Sequence, residues 1–270
     1  MLPSDDAGTL AGFLEYGLLM AARSRTEPRI VQRFVDFIQD DVKPKFHSID
    51  GKPMKLRAEM IHQKPYALLE HQICGKSKVE LGDILFVLKR KGRRSIWDCR
   101  CSFAQAKLYR KSWNIEAHQY QFLCKLASTR FRLAKNPERM LELRNCSDLW
   151  SSSYLLMSKS LNLSIPPPHL SRFYEENCSN FKVDCCLLGT HASNFIWYCP
   201  RWAFREFIMK FVKRNGVGAI IRGDLREVLE ICYEKVGLAY DPPRELFMRD
   251  GAFAVIEFEI TEDELEEERR

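Results

Sequence analysis

Three polar residues stand where an apolar sheet would otherwise continue. Asp83 opens the run ILFVL at 84–88, and Gln105 and Lys107 lie two apart in CSFAQAKLYR at 101–110. Strand residues two apart point to the same face. Each residue has an ordinary structural reading: Asp83 caps a turn, Gln105 sits on an edge, and Lys107 extends its ammonium to water past an apolar stem. Together they offer a hard oxygen ligand, a second oxygen and a cation. That set suits Mg²⁺ (or Mn²⁺), which takes oxygen ligands, keeps several waters and binds through one or two carboxylates plus substrate phosphate. Asp83 would be the anchor, the Gln105 side-chain oxygen a neutral second ligand and the Ala106 carbonyl a third. Such a metal lowers the pKa of a bound water and polarises a phosphoryl oxygen. Lys107 would hold that water or steady the charge on the pentavalent phosphate.

The elements that must position these residues follow from the pattern. The apolar segment 81–88, the basic glycine turn KRKGRR at 89–94 and a second strand over 95–108 predict an antiparallel hairpin. Residues 9–23 and 28–42 read as helices, the second with Pro28 in its first turn and Ile30, Val31, Phe34, Phe37 and Ile38 as its apolar stripe. Residues 44–55 read as a loop, and Pro65 divides 56–74 into extended pieces. A helix is expected over 116–134, strands at 153–157, 181–188, 194–199 and 253–260, and helices at 202–212 and 224–236. PPP at 166–168 marks a break and RNGVG at 214–218 a turn.

Length and composition set outer bounds. A chain of 270 residues with 46% hydrophobic and 29% charged content is globular and long enough for a substantial core. The last ten residues hold six acids and two arginines, net −4, so a total of +6 leaves +10 on the remainder. A basic body favours a polyanionic partner. Ten cysteines form no Cys-x-x-Cys pair, which argues against a zinc knuckle and for reduced thiols. Without an apolar run of membrane-spanning length or a basic-then-apolar start, the expected location is cytoplasmic, with no membrane partner. No phosphate-binding loop or nucleophile elbow is present, so any ATPase or sensor would be a partner subunit.

Gly82-Asp83, a strand, a turn and a strand with Gln105-Ala106-Lys107 resembles the signature of the PD-(D/E)XK nuclease superfamily, in the Q-x-K form of Mrr-like restriction enzymes. The resemblance spans about residues 28–135. It implies an α/β, restriction-endonuclease-like mixed central sheet flanked by helices over residues 1–137. Residues 138–270 would form an α+β extension that packs on or completes the core, with an acidic tail at 261–270. It also implies a Mg²⁺-dependent nuclease acting on DNA, in prokaryotic foreign-DNA defence or restriction. The alternatives are an inactive nucleic-acid-binding or scaffold subunit, and an RNase of the same fold.

Glutamine in place of the usual acid removes a charge, so another carboxylate is expected. Glu80 is favoured, given a kink at Gly82; Asp40, Asp41, Glu59 and Glu70 are weaker candidates. Within the resemblance, the helix after the hairpin sends a polar side chain to the site, with Gln121 preferred to Gln119. His62 and His71 precede the hairpin. Tyr109, Arg110, Lys111, Arg93 and Arg94 would track the backbone of double-stranded DNA. Phe195, Ile196, Trp197 and Tyr198 are a candidate surface for a partner subunit or a second copy.

Overall fold

The computed structural model describes residues 6–61, 65–92, 96–134, 136–184, 202–213, 217–234 and 253–261. Arg93, Arg94, His62 and the run from Phe195 to Tyr198 lie outside them. The chain opens with helices α1 (Ala7–Ala21) and α2 (Glu27–Phe37), the latter running into a π-turn, Ile38–Val42. Strands β1 (Ser48–Ile49), β2 (Lys52–Ile61), β3 (Tyr66–Ile73), β4 (Lys76–Glu80), β5 (Ile84–Lys91), β6 (Ile96–Leu108) and β7 (Trp113–Ile115) follow. After α3 (Ala117–Cys124) come β8 (Arg130–Leu133), β9 (Asn136–Glu142), β10 (Ser152–Met157), β11 (Asn162–Ile165), β12 (Phe181–Val183) and β13 (Trp202–Ala203). The described chain closes with α4 (Phe204–Val212), β14 (Ala219–Ile220), α5 (Asp224–Glu234) and β15 (Phe253–Thr261).

The main sheet is mixed, in the order β1-β2-β15-β5-β6-β10-β11-β13, with β14 also on β6. The β5–β6 hairpin is antiparallel, with Ile84 opposite Ala104, while β10 runs parallel to β6 and β15 parallel to β5. The last strand therefore enters between β2 and β5, and strands from both sides of residue 137 share one sheet. Its apolar runs are explained by cover on both faces. Ile84, Phe86 and Leu88 face α1, α2 and α4, where Phe86 meets Phe204, Phe207 and Phe211. Leu85, Val87, Phe103, Tyr154 and Leu156 face the other way, toward α3, α5 and the smaller sheet β4-β3-β8-β9.

Two expectations for the elements change. The predicted helix over 116–134 stops at Cys124, where the Ser128 and Thr129 hydroxyls donate to the Lys125 carbonyl and divert the chain from helix. Arg130, Phe131, Arg132 and Leu133 then alternate exposed and buried, a strand period that pairs with β3. The predicted loop over 44–55 contains a hairpin: Asp50 and Gly51 both take positive φ, 49° and 79°, between paired Ile49 and Lys52.

Cys74 and Gly75 repeat that turn at the tip of the β3–β4 hairpin, with φ of 49° and 72°. The turn carries Cys74 to Cys178, 104 residues away in sequence, and the two form a disulfide. This corrects the expectation of reduced thiols throughout; the pairing is tertiary and has no local spacing to announce it. Burial pushes the thiols of Cys99 and Cys124 up to about 11 and that of Cys146 up to about 12, so these three stay protonated and poorly reactive. Closing so long a loop restricts the unfolded chain, for a stabilisation of about 2–4 kcal/mol. Cys178→Ser is expected to lower the denaturant-derived unfolding free energy by that amount. Dithiothreitol should do the same to the wild type and leave the variant unchanged.

Candidate functional site

Asp83 immediately precedes β5, and its backbone is held on both sides. Its N–H donates to the Ala104 carbonyl at 2.9 Å, and its carbonyl accepts from Ala254 of β15 at 2.8 Å. Gly82 precedes it with its Cα pressed on β6: a Cβ there would stand 3.1 Å from the Ala104 oxygen. The side chain is buried, and its Oδ2 accepts from the Ala106 N–H at 2.8 Å and from the Gln105 Nε2. The N–H and C=O of one strand residue project to the same side. The Ala106 carbonyl therefore faces the side of β6 on which Asp83 lies, beyond the start of β5.

Gln105 lies opposite Asp83, one step along the register that pairs Ile84 with Ala104. Its Nε2 is spent on Asp83, while its Oε1 is buried with no hydrogen-bond partner. Lys107, two residues on and mostly buried, has its Nζ 3.7 Å from the Glu116 carboxylate just before α3. The structure thus brings Asp83, Gln105, Ala106 and Lys107 together at one end of one sheet.

One carboxylate seated on β6 beside Asp83, that of Glu27, was not among the expected candidates. Glu80 belongs to β4 and accepts from the Tyr66 hydroxyl at 3.3 Å. Asp40 and Asp41 are exposed at the far end of the leading helix, on the order of 20 Å along its axis from its start. Glu59 and Glu70 form ion pairs with Arg57 and Arg130. Glu27 instead comes in from the first turn of α2, its Oε1 accepting from the Leu108 N–H at 3.0 Å. Asp83 and Glu27 therefore take successive edge amides of β6, those of Ala106 and Leu108, ~7 Å apart along the strand. The signal available in sequence was an acid beside Pro28 in the first helical turn; starting the helix at Pro28 hid it.

The helix after the hairpin also differs in detail. Gln121 turns away, its Nε2 donating to the Tyr174 hydroxyl. Buried Gln119 donates to the Glu80 carbonyl at 2.7 Å, tying α3 to the segment that leads into Gly82 and Asp83. His71 is exposed. His118 is a group that sequence reasoning passed over: burial lowers its pKa below the usual imidazole value, Lys76 and Lys107 acting the same way and Glu116 and Glu80 opposing.

A cavity of about 650 Å³ opens beside Lys107, between the start of α2 and the segment after β6. Glu27, Lys107, Leu108, Arg110, Lys111 and Glu116 line it. Arg110 and Lys111 are exposed there, whereas Tyr109 is half-buried and packs its ring against Trp113 at 4.9 Å.

Among the described residues no three His, Cys, Asp or Glu side chains gather closely enough to hold a metal. The groups gathered at this end of β6 are the Asp83 carboxylate, the Glu27 carboxylate two residues further along, the Ala106 carbonyl and the Gln105 carboxamide, which offer hard oxygens of the kind Mg²⁺ and Mn²⁺ take. That donor set fits such a cation and fits zinc poorly. No helix among the described residues is long and apolar enough to cross a membrane. No protein-family model, curated protein or solved structure matches the chain significantly. The contact at Gly82 gives a direct test of the site's packing. Gly82→Ala is expected to cost about 1–3 kcal/mol by pushing Asp83 off β6, read by chemical denaturation; an unchanged midpoint would show that the approach of Gly82 to Ala104 is not required.

Proposed function

We propose that the chain is a Mg²⁺- or Mn²⁺-dependent nuclease that hydrolyses DNA phosphodiester bonds, with a restriction-endonuclease-like fold. The observation that carries this reading is the burial of Asp83, Gln105 and Lys107 at one end of the sheet, with the Gln105 carboxamide on the Asp83 carboxylate. The order of elements supports it: a leading helix, the β5–β6 hairpin, α3 and then β10 parallel to β6.

Asp83, the Gln105 Oε1 and the Ala106 carbonyl would hold the cation, with Glu27 as the additional carboxylate in place of Glu80. Bound there, the cation supplies an acidified water and a polarised phosphoryl oxygen. Lys107 would hold the attacking water by its ammonium and offset the charge that builds on the phosphate oxygens. Glu116 keeps that ammonium beside the cavity until substrate competes for it. Arg110 and Lys111 at the cavity mouth would fix the strand through its phosphates. A role against foreign DNA belongs to the same proposal, as does a partner subunit for energy or sensing.

Two observations favour the second reading, a nucleic-acid-binding or scaffold subunit without catalysis. The Asp83 carboxylate already accepts two hydrogen bonds and Lys107 already has Glu116. The two readings separate in a plasmid-nicking assay with Mg²⁺ or Mn²⁺, run beside matched RNA. Wild-type protein is expected to nick DNA, EDTA to stop it, and Lys107→Ala or Asp83→Asn to slow it at least ~100-fold. Equal nicking by wild type and Lys107→Ala, or none by either, would defeat the nuclease reading; cleavage of RNA alone would change the substrate. Glu27→Gln is expected to raise the Mg²⁺ concentration for half-maximal rate ~10-fold, the scale of one metal-supporting group, while Glu80→Gln leaves it unchanged.

A further inference from the structure

The Cys74–Cys178 disulfide joins two segments that both hold α3. Cys74 is at the tip of the β3–β4 hairpin, and β4 ends at Glu80, whose carbonyl accepts from Gln119 of α3. Cys178 lies in the exposed segment 175–180, and the Gln121 Nε2 of α3 is 4.0 Å from its sulfur. Two residues after Cys178, the Asn180 side-chain oxygen accepts from the Ala117 N–H at 3.1 Å. That amide belongs to the first turn of α3, where backbone donors have no partner within the helix. Strand β12 follows at once and pairs with β7, Lys182 opposite Asn114. Asn114 and Glu116 line the cavity beside Lys107, and Glu116 pairs with the Lys107 ammonium. The path from the disulfide to Lys107 is therefore short: Cys178, Asn180, Ala117, Glu116, Lys107.

Cys178 takes a φ of 58°, in the left-handed region that a residue with a Cβ rarely adopts. Such a conformation lasts only where its surroundings impose it, and the bond to Cys74 does so here. With that bond open, Cys178 is expected to relax to an ordinary backbone region and carry Asn180 off the Ala117 N–H. Loss of that acceptor weakens the first turn of α3. Glu116 is the N-cap residue of the same turn, so its carboxylate loses its fixed place beside Lys107.

We propose that the Cys74–Cys178 disulfide is a redox-controlled clasp on the cavity: closed, it fixes the start of α3 and the Glu116–Lys107 pair, and opened by a dithiol it loosens both and weakens the hold on substrate phosphates. The exposed Cys178 sulfur is the point of attack. One thiolate of the dithiol bonds to it, the S–S bond breaks, and Cys74 leaves as a thiolate that takes a proton. The second thiol then displaces Cys178 and closes the reagent's own disulfide, so two electrons and two protons pass to the protein. The effect on substrate rests on the nucleic-acid reading of the cavity; the effect on α3 does not.

The test follows the amide resonances of ¹⁵N-labelled protein as dithiothreitol is added. Reduction is expected to shift the amides of residues 114–118, with the Ala117 proton moving upfield as on loss of a hydrogen bond, and to leave those of α4 in place. Shifts confined to the neighbours of Cys74 and Cys178 overturn the clasp, as do shifts spread equally through α4. Cys74→Ser should show the reduced pattern without reagent and no response to it; a wild-type pattern at 114–118 in that variant overturns the proposal. Asn180→Ala should move the Ala117 amide with the disulfide intact and leave dithiothreitol little further effect there; a full response to reduction in that variant overturns the path through Asn180. A fluorescent duplex oligonucleotide, titrated without metal, is expected to bind ~5-fold more weakly after reduction, the scale of one helix cap. Equal affinity in the two states overturns control of the cavity. If neither state binds the oligonucleotide, the nucleic-acid reading falls and the effect on substrate with it, a result distinct from unmoved resonances at 114–118.

Discussion

Asp83 is fixed at both its backbone and its side chain, and the rest of the site is built around that fixation. Its N–H and carbonyl belong to ladders with β6 and β15, and its carboxylate crosses to the next free amide of β6. A strand residue normally has its side chain perpendicular to the sheet and its edge neighbours paired. Because β5 starts here, the amides of Ala106 and Leu108 have no strand opposite, and two carboxylates satisfy them instead. The chemistry of the site therefore comes from a missing stretch of β-ladder. β15 makes this possible by holding β5 from the opposite side while β6 runs on with β10 as its one strand neighbour.

The same arrangement sets the electrostatic balance. A buried carboxylate is costly unless hydrogen-bonded or paired with a cation. Here one backbone amide and one carboxamide cover Oδ2, and the neutral glutamine lowers the total negative charge that any cation would meet. Glu27 restores part of it from the helix side. Glu116 works in the other direction, drawing Lys107 toward the cavity. Where a single acid replaced by glutamine would leave a weak site, two carboxylates from outside the hairpin flank it, one above Leu108 and one beside Lys107.

Much of this was legible in the residues. The hairpin, its two faces and the gathering of Asp83, Gln105 and Lys107 follow from period-two placement and from a glycine turn, which are local signals. The final strand was legible as a strand, but its place between β2 and β5 is a long-range fact that no spacing carries. The helix over 116–134 was misread because Phe131 was grouped with Phe122, Leu123 and Leu126 on one helical face, whereas Phe131 and Leu133, two apart, share the buried face of a strand. Asp50-Gly51 and Cys74-Gly75 are both hairpin turns; the first lies among lysines and prolines that read as loop, and the second has no Asn or Asp to announce it. Glu27 and Glu116 stayed hidden because each reaches the site from the end of an element, where the direction of a side chain depends on packing rather than on periodicity.

The central claim is that the open end of β5 is a cation site made by Asp83 and its neighbours on β6. Diffraction from crystals soaked in Mn²⁺, collected at an energy where manganese scatters anomalously, tests it most directly. The account predicts an anomalous peak within ~2.0–2.3 Å of an Asp83 carboxylate oxygen, with the Gln105 oxygen turned toward it. A saturating soak that leaves no peak there, with the Gln105 amide nitrogen still on Asp83, would contradict it.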